Sequence, residues 1–346
     1  MAPDRVVESV APIRVCDNGG WTDTWFSKHG AVFNIAVRPR AEVRVRVSAS
    51  GPPGIVLHAE DFGERYVVAP QPSAWGPHPL LEAAIAFMKV PSHLGLEVSI
   101  HSEAPSGAGT GTSAAVTVAL VGALEALGPV RSTPREVARA AHRVETELLG
   151  RQCGIQDQIA AAFGGINYIE MPAYPEATVF PIRLPGALWR ELDRRLCVVY
   201  LGRAHDSSSI HEHVIRELED AGPDCRRLQD LRGTASRSRD ALLAGDLVAL
   251  GRAMVDNTEA QARLDPALVG AQARQVIAIA RDHGALGWKV NGAGGEGGSI
   301  TLLCDAGASR RRALLRDVLG ANPASRRIPT SLSRTGLRVR IARGKA

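Results

Sequence analysis

Pro105-Ser106-Gly107-Ala108-Gly109-Thr110-Gly111-Thr112-Ser113-Ala114-Ala115 sets three glycines at alternate positions before hydroxyl residues, and a mainly apolar run from Val116 to Leu127 follows. Alternate glycines leave backbone N–H groups uncovered, and a helix opening there aims its own unpaired N–H groups and positive dipole end at the same point. The stretch predicts a cradle for the phosphates of a nucleotide, feeding a buried helix. Three familiar phosphate loops fail against it at definite positions. A Walker loop needs a Lys, and none lies near. A dinucleotide fingerprint needs its third glycine where Thr112 stands. A protein-kinase loop is followed by a lysine-bearing strand, whereas Val116 to Leu127 reads as helix.

Two further glycine segments lie near the ends of the chain. Arg14-Val15-Cys16-Asp17-Asn18-Gly19-Gly20-Trp21-Thr22-Asp23 follows a short apolar strand and flanks a glycine pair with Arg and Asp. Such a pair lets backbone approach a ligand closely. Asp23 reads either as a ligand-facing carboxylate or as an Asx-turn residue. Lys289-Val290-Asn291-Gly292-Ala293-Gly294-Gly295-Glu296-Gly297-Gly298-Ser299 contains a formal Gly-x-Gly-x-x-Gly, but Ile300 to Cys304 reads as a strand and a dinucleotide loop must open a helix.

The carboxylates of interest fall between these loops. Thr133-Pro134-Arg135-Glu136 is a capping box with proline at the first helical position, predicting a helix to about Leu149 before Gly150. Val137, Ala141, Val144 and Leu148 share one face of it, and Glu145 enters or borders that buried stripe. A carboxylate there needs a partner. Mg²⁺ held by Glu145 and Ser113 and completed by phosphate oxygens fits physically, and so does pairing with Arg143 or Arg139. Asp157 is the lone carboxylate of Cys153 to Gly165, either a reacting group or a favourable charge in the first turn of a helix.

Taken together, the Pro-x-x-x-Gly-x-Gly-Thr-Ser-Ala-Ala loop, the Arg14 to Asp23 segment, Gly154-Ile155-Gln156-Asp157-Gln158 and Lys289 to Gly295 resemble, in the right order, the motifs of the GHMP small-molecule kinases. The branch most similar is that of the D-glycero-D-manno-heptose 7-phosphate and fucose kinases. Thr110 and Thr112 replace the usual Leu and first Ser, Glu296 interrupts the third glycine run, and Leu201-Gly202-Arg203 replaces a Thr-Gly strand end. The resemblance implies an α+β, two-domain kinase fold with the active site in the inter-domain cleft and with ATP and Mg²⁺ as cofactors. It implies nucleotide binding by Pro105, Gly107, Gly109, Thr110, Gly111, Thr112 and Ser113. Metal binding would fall to Ser113 and Glu145, and substrate binding to Gly19, Gly20, Thr22, Asp23, Gly292, Gly294 and Gly295. Asp157 would be catalytic, orienting a substrate hydroxyl and accepting its proton late, with Arg14 offsetting charge on the transferring phosphoryl group. The expected reaction is phosphorylation of a sugar, foremost the anomeric hydroxyl of a heptose 7-phosphate. The alternatives are a free-sugar 1-kinase acting on fucose, arabinose or a uronic acid, and a catalytically silent sensor of the same fold.

Composition bounds the rest. The chain has 346 residues, 45% hydrophobic and 22% charged, enough for one or two domains with a sizeable core. Residues 1–171 are expected to form an N-terminal domain, Pro172 to Pro185 a linker, and 186–346 a C-terminal domain that includes a helix from Ala235 to Met254. Five cysteines without a Cys-x-x-Cys point to reduced thiols, and no apolar run approaches the ~20 residues of a membrane span. The expected setting is cytoplasmic, and the expected partner is a small-molecule sugar or sugar phosphate, with a homodimer left open. The net charge of +5 could serve nucleic acid, yet aromatics are 4% and do not interleave with the arginines. Arginines alternating along Ala41 to Val47 and Leu337 to Ile341 read instead as exposed strand faces. His205, His211 and His213 lack zinc-site spacing.

Overall fold

A computed structural model describes residues 5–48, 53–69, 74–91, 93–129, 131–204 and 208–343. The chain begins with β1 (Arg5–Asn18) and β2 (Gly30–Ser48), then β3 (Gly54–Ala59), β4 (Glu64–Val68), α1 (Pro79–Phe87) and β5 (Gly95–Ser102). Three helices follow: α2 (Thr112–Glu125), α3 (Pro134–Arg143) and α4 (Gln156–Phe163). β6 (Ile166–Ala173), β7 (Glu176–Pro181), α5 (Gly186–Arg195) and β8 (Leu196–Tyr200) lead into a helical run of α6 (Ser208–Ala221), α7 (Arg226–Leu243), α8 (Leu247–Leu264) and α9 (Ala271–Asp282). The chain closes with β9 (Gly287–Val290), β10 (Ser299–Leu303), α10 (Ala308–Ala321), β11 (Arg326–Ile328), β12 (Ser331–Leu332) and β13 (Arg338–Arg343).

A large sheet in the order β13-β1-β2-β5-β3-β4, with β12, β6 and β7 attached through β2, forms one lobe, and a four-stranded sheet β11-β8-β10-β9 forms the other. The alternation in Ala41 to Val47 is realised in β2: Val43 and Val45 are buried while Glu42, Arg44 and Arg46 face solvent. Leu337 to Ile341 becomes the edge strand β13, antiparallel to β1. On the inner face of the large sheet α2 is buried from Val118 to Leu124, which explains its all-round apolar sequence. Burying Leu120 there is worth ~2 kcal/mol by area.

Three expectations are corrected. The stretch from Pro172 to Pro185 is no linker, because Glu176–Pro181 pairs with β6 as strand β7. The helix from Ala235 to Met254 is two helices: the chain reverses at Gly245, φ +72°, and Asp246 caps α8 through the N–H groups of Val248 and Ala249. The α3 helix carries its capping box at Thr133 and Glu136, but past Arg143 it widens into a π-turn over Val144–Leu148. π-Bulges of this kind are frequent at functional sites, and this one holds Glu145.

Candidate active site

The loop at Pro105 to Ser113 lies where the two lobes meet. Gly107, Gly109 and Gly111 all take φ between +67° and +69°, a region that L side chains avoid. A Cβ at Gly109 would stand 2.7 Å from the carbonyl of Asn291, so the first and third glycine loops touch backbone to backbone. Gly111 is the N-cap of α2 and no side chain caps that helix. The first N–H groups of α2 therefore face the cleft, where Ser113 and Ala114 form part of the wall. The Thr110 and Thr112 hydroxyls lie 3.3 Å apart, and Pro105 accepts from the Ala108 amide at 3.3 Å. These features fit an anion with several oxygens.

Arg14, on β1, is buried and grips Asp157, in the first turn of α4, in a fork: Nε to Oδ1 is 2.7 Å and Nη2 to Oδ2 is 3.1 Å. The same guanidinium donates to the Gly109 carbonyl, and its backbone N–H donates to the Thr110 carbonyl at 3.0 Å. One residue thus joins the aspartate to the glycine loop. Burial alone lowers the Arg14 pKa, but Asp157 and Asp17 outweigh it and hold the group above its ordinary value. Gln156 also donates to Asp157 Oδ1, so that oxygen is fixed from two sides.

Glu145 is 5% exposed and lines the same cleft as Ser113. Its protein contacts are Gln158 Nε2 at 2.8 Å and a long approach of Arg151 at 3.8 Å. Arg143 and Arg139 pair instead with Glu147 and Glu176. Burial pushes the Glu145 pKa up, against the smaller pull of Gln158 and Arg151. A buried carboxylate with so little compensation, near a hydroxyl and an anion cradle, is a suitable oxygen donor for a divalent cation.

The Arg14 to Asp23 segment divides its labour. Gly20 and Asp23 line the cleft. Thr22 is fully buried and engages the Gly19 and Ala31 carbonyls, while Gly19 donates to Asn257 Oδ1 of α8 at 2.7 Å. These two build the turn and do not reach the cavity. Asp23 accepts from the Gln156 amide at 3.0 Å, and a Cβ at Gly154 would stand 2.0 Å from its carboxylate. Burial raises the Asp23 pKa to about 6.

In the third loop, Gly292 faces the cleft and donates to Asp17 Oδ2 at 3.0 Å. Gly294 and Gly295 turn the other way, packed against the Leu268 carbonyl, with Gly295 N–H donating to it at 2.8 Å. Glu296 accepts from the Ala271 amide at the start of α9 and from Arg203 at 2.6 Å, which fastens the loop to its own lobe.

Several groups escaped the sequence reading. Asp17 and Lys289 form a fully buried pair at 3.4 Å between the first and third segments. Both stood inside quoted motifs, but nothing local marks them as partners. Trp21, Trp25 and Phe26 wall the cleft opposite α2, and His211, Glu212 and Ile215 of α6 roof it. Trp21 takes φ +77°, strained for so large a residue, and its indole N–H donates to the Ala293 carbonyl at 3.2 Å. His205 lies outside the described residues; among the described residues no group of three or more His, Cys, Asp or Glu is placed to hold a metal ion, and no helix is long and apolar enough to cross a membrane.

Comparison with known proteins places the chain among a family of kinases. Models of the GHMP kinases N terminal domain and the GHMP kinases C terminal match residues 79–165 and 238–317. The D-glycero-alpha-D-manno-heptose 7-phosphate kinase of Campylobacter jejuni is 26% identical over 211 residues, 61% of this chain and 61% of that protein, so the match spans less than two thirds of that relative. The mevalonate kinase of Thermococcus sibiricus is 30% identical over 257 residues, 71% of this chain and 69% of that one. A solved structure of a D-glycero-D-manno-heptose 1-phosphate kinase from Bacteriodes thetaiotaomicron shares the fold, with a TM-score of 0.76 at 22% identity over 96% of this chain and 98% of that one.

Proposed function

The chain belongs to the GHMP kinase family, and we propose that it is an ATP- and Mg²⁺-dependent sugar kinase. The observation that carries this reading is the shared cleft of Arg14, Asp157, Glu145 and the uncapped start of α2. In it the α2 N–H groups and the glycine loop hold the phosphates of the donor, and Ser113 and Glu145 would hold Mg²⁺, whose charge offsets that of the phosphoryl oxygens. Asp157, fixed by Arg14 and Gln156, orients the acceptor hydroxyl and takes its proton as the new bond nears completion. Arg14 stabilises charge on the group in transit. Asp23, Gly20 and Gly292 face the acceptor.

The name of the Campylobacter relative favours a heptose 7-phosphate as acceptor, and we infer its anomeric hydroxyl as the site of transfer; a free sugar phosphorylated at the same hydroxyl is the second reading. A silent sensor would not require Glu145 and Asp157 beside the phosphate loop. We infer a division of labour in which 1–171 supplies the donor loop, metal ligands and base while 186–346 closes the cleft, in a cytoplasmic setting that the five free cysteines suit. ADP release from Mg·ATP across a panel of sugars and sugar phosphates tests the activity. The expected result is turnover with at least one acceptor, most of it lost in Asp157→Asn; equal turnover in that variant removes Asp157 from the mechanism, and no turnover with any acceptor refutes the reading.

A further inference from the structure

We propose that Asp17 is a positioning residue for the transfer: it aligns Arg14 with Asp157 and holds the third glycine loop in the cleft. The role presupposes the kinase reading above, in which Asp17 had no part.

Asp17 and Lys289 are 2% and 1% exposed, and charges at that depth need partners. Gly292 N–H donates to the Asp17 carboxylate at 3.0 Å, the Lys289 ammonium lies 3.4 Å from it, and Arg14 Nη2 stands 3.9 Å away. Lys289 donates on to Gln261 Oε1 at 3.2 Å, and Gln261 Nε2 donates to the Gly292 carbonyl at 3.2 Å. Asp17, Lys289, Gln261 and Gly292 therefore close a ring that grips Gly292 by both its N–H and its C=O. Gly292 takes φ +70°, and a Cβ on it would stand 3.0 Å from the Gly109 carbonyl. The ring thus fixes the third loop against the first.

The same carboxylate reaches the reacting groups through Arg14. Arg14 Nη2 donates to Asp157 Oδ2 at 3.1 Å and is also the atom that approaches Asp17. After Asp157, Asp17 is the carboxylate that most offsets burial of the Arg14 guanidinium. Burial pushes the Lys289 pKa down, and Asp17 is the main pull against it. Arg14, Lys289, Asp17 and Asp157 balance in charge, and Asp17 is the member that approaches both cations. An amide at this position breaks the arrangement. Its oxygen would keep the Gly292 N–H, but its NH₂ would face a guanidinium or an ammonium, donor against donor. Arg14 would then answer to Asp157 alone. A misplacement of ~1 Å in a group that acts on the transition state costs about 10²-fold in rate.

The experiment is a double-mutant cycle on the full chain, with kcat and KM for Mg·ATP measured on the best acceptor of the panel. Rates are referred to the protein that binds nucleotide by titration calorimetry. Asp17→Asn is expected to lower kcat by about 10²-fold with KM for ATP within about threefold, because alignment is felt in the transition state. Its melting point should fall, since Lys289 loses its counter-ion. Lys289→Met leaves Asp17 on Arg14 and Gly292 and should lower kcat by less than about tenfold. In Asp17→Asn/Lys289→Met the melting point should return toward the parent's while kcat stays at the Asp17→Asn level. A kcat that recovers together with the melting point makes the pair a strut and overturns the proposal, as does a parent-like kcat in Asp17→Asn. Should Asp17→Asn not fold, the double variant is compared with Lys289→Met: equal kcat overturns the proposal, and a further fall of about tenfold or more supports it. A parent that turns over no acceptor removes the kinase reading and the role with it; a working parent beside an unimpaired Asp17→Asn removes the role alone.

Discussion

The first and third glycine loops are both glycine-rich and have opposite tasks. Pro105 to Ser113 opens α2, keeps its N-cap free of side chains and shows its amides to the cleft. Asn291 to Ser299 opens β10 and turns Gly294, Gly295 and Glu296 onto Leu268, Ala271 and Arg203 of its own lobe. From it, Gly292 and Ala293 line the cleft. The contrast teaches that glycine supplies conformational freedom, while the element that follows decides whether the freed amides meet a ligand or the protein.

Disturbing the first loop's surroundings should therefore damage chemistry, and disturbing the third should damage stability. The largest effect is expected at Asp157: Asp157→Asn keeps the shape but loses the proton acceptor, so kcat should fall about 10³-fold with nucleotide affinity by titration calorimetry unchanged. Next is Glu145→Gln, for which the Mg²⁺ concentration giving half-maximal rate should rise at least about tenfold; an unaltered Mg²⁺ dependence would take Glu145 out of the metal site.

The Asp23 carboxylate, with its pKa raised to about 6, gives a third test. Below that pH it is protonated and loses acceptor capacity for sugar hydroxyls, so kcat/KM should drop about tenfold per unit as pH falls under 6. Asp23→Asn should erase that acid limb along with most of the sugar affinity, and a limb that survives the substitution belongs to another group.

On the third loop, Gly294→Ala puts a Cβ 2.3 Å from the Leu268 carbonyl at φ +88°. A loss of roughly 2–3 kcal/mol is expected, read as a melting point several degrees lower, with nucleotide affinity of the folded fraction within about twofold. Should nucleotide binding fail while the melting point holds, the contrast between the loops breaks. The smallest effect is Glu296→Gln. Its ion pair with Arg203 is exposed, 40% and 56%, so stability should shift by under ~1 kcal/mol.

Much of the site was legible where local rules act. The capping box at Thr133, the strand after Gly298 and the buried placing of Glu145 all follow from residues within a turn or two of each other. Glu145 meets Gln158 and Arg151, and neither Arg143 nor Arg139, and the π-turn that carries it leaves no mark in hydrophobic periodicity. The linker expected from Pro172 to Pro185 fails because Pro172, Pro175 and Pro181 sit within or beside the strand β7 at the edge of the large sheet, where missing N–H donors are tolerated, and Pro185 is the N-cap of α5. Ala235 to Met254 failed because apolar periodicity runs on through the turn at Gly245, and only the Gly-Asp pair breaks it.

The sequence by itself determined the three loops, their order, and which of them opens a helix, because backbone freedom, capping and hydrophobic period act across a few neighbouring residues. Tertiary structure decided which charges meet. Arg14 finds Asp157 across 143 positions and Asp17 finds the Gly292 amide across 275, and no local pattern registers partners so far apart. That Thr22, Gly294 and Gly295 pack away from the cleft while Trp21 and Glu212 line it follows in the same way, from the direction each side chain or amide takes where the lobes meet.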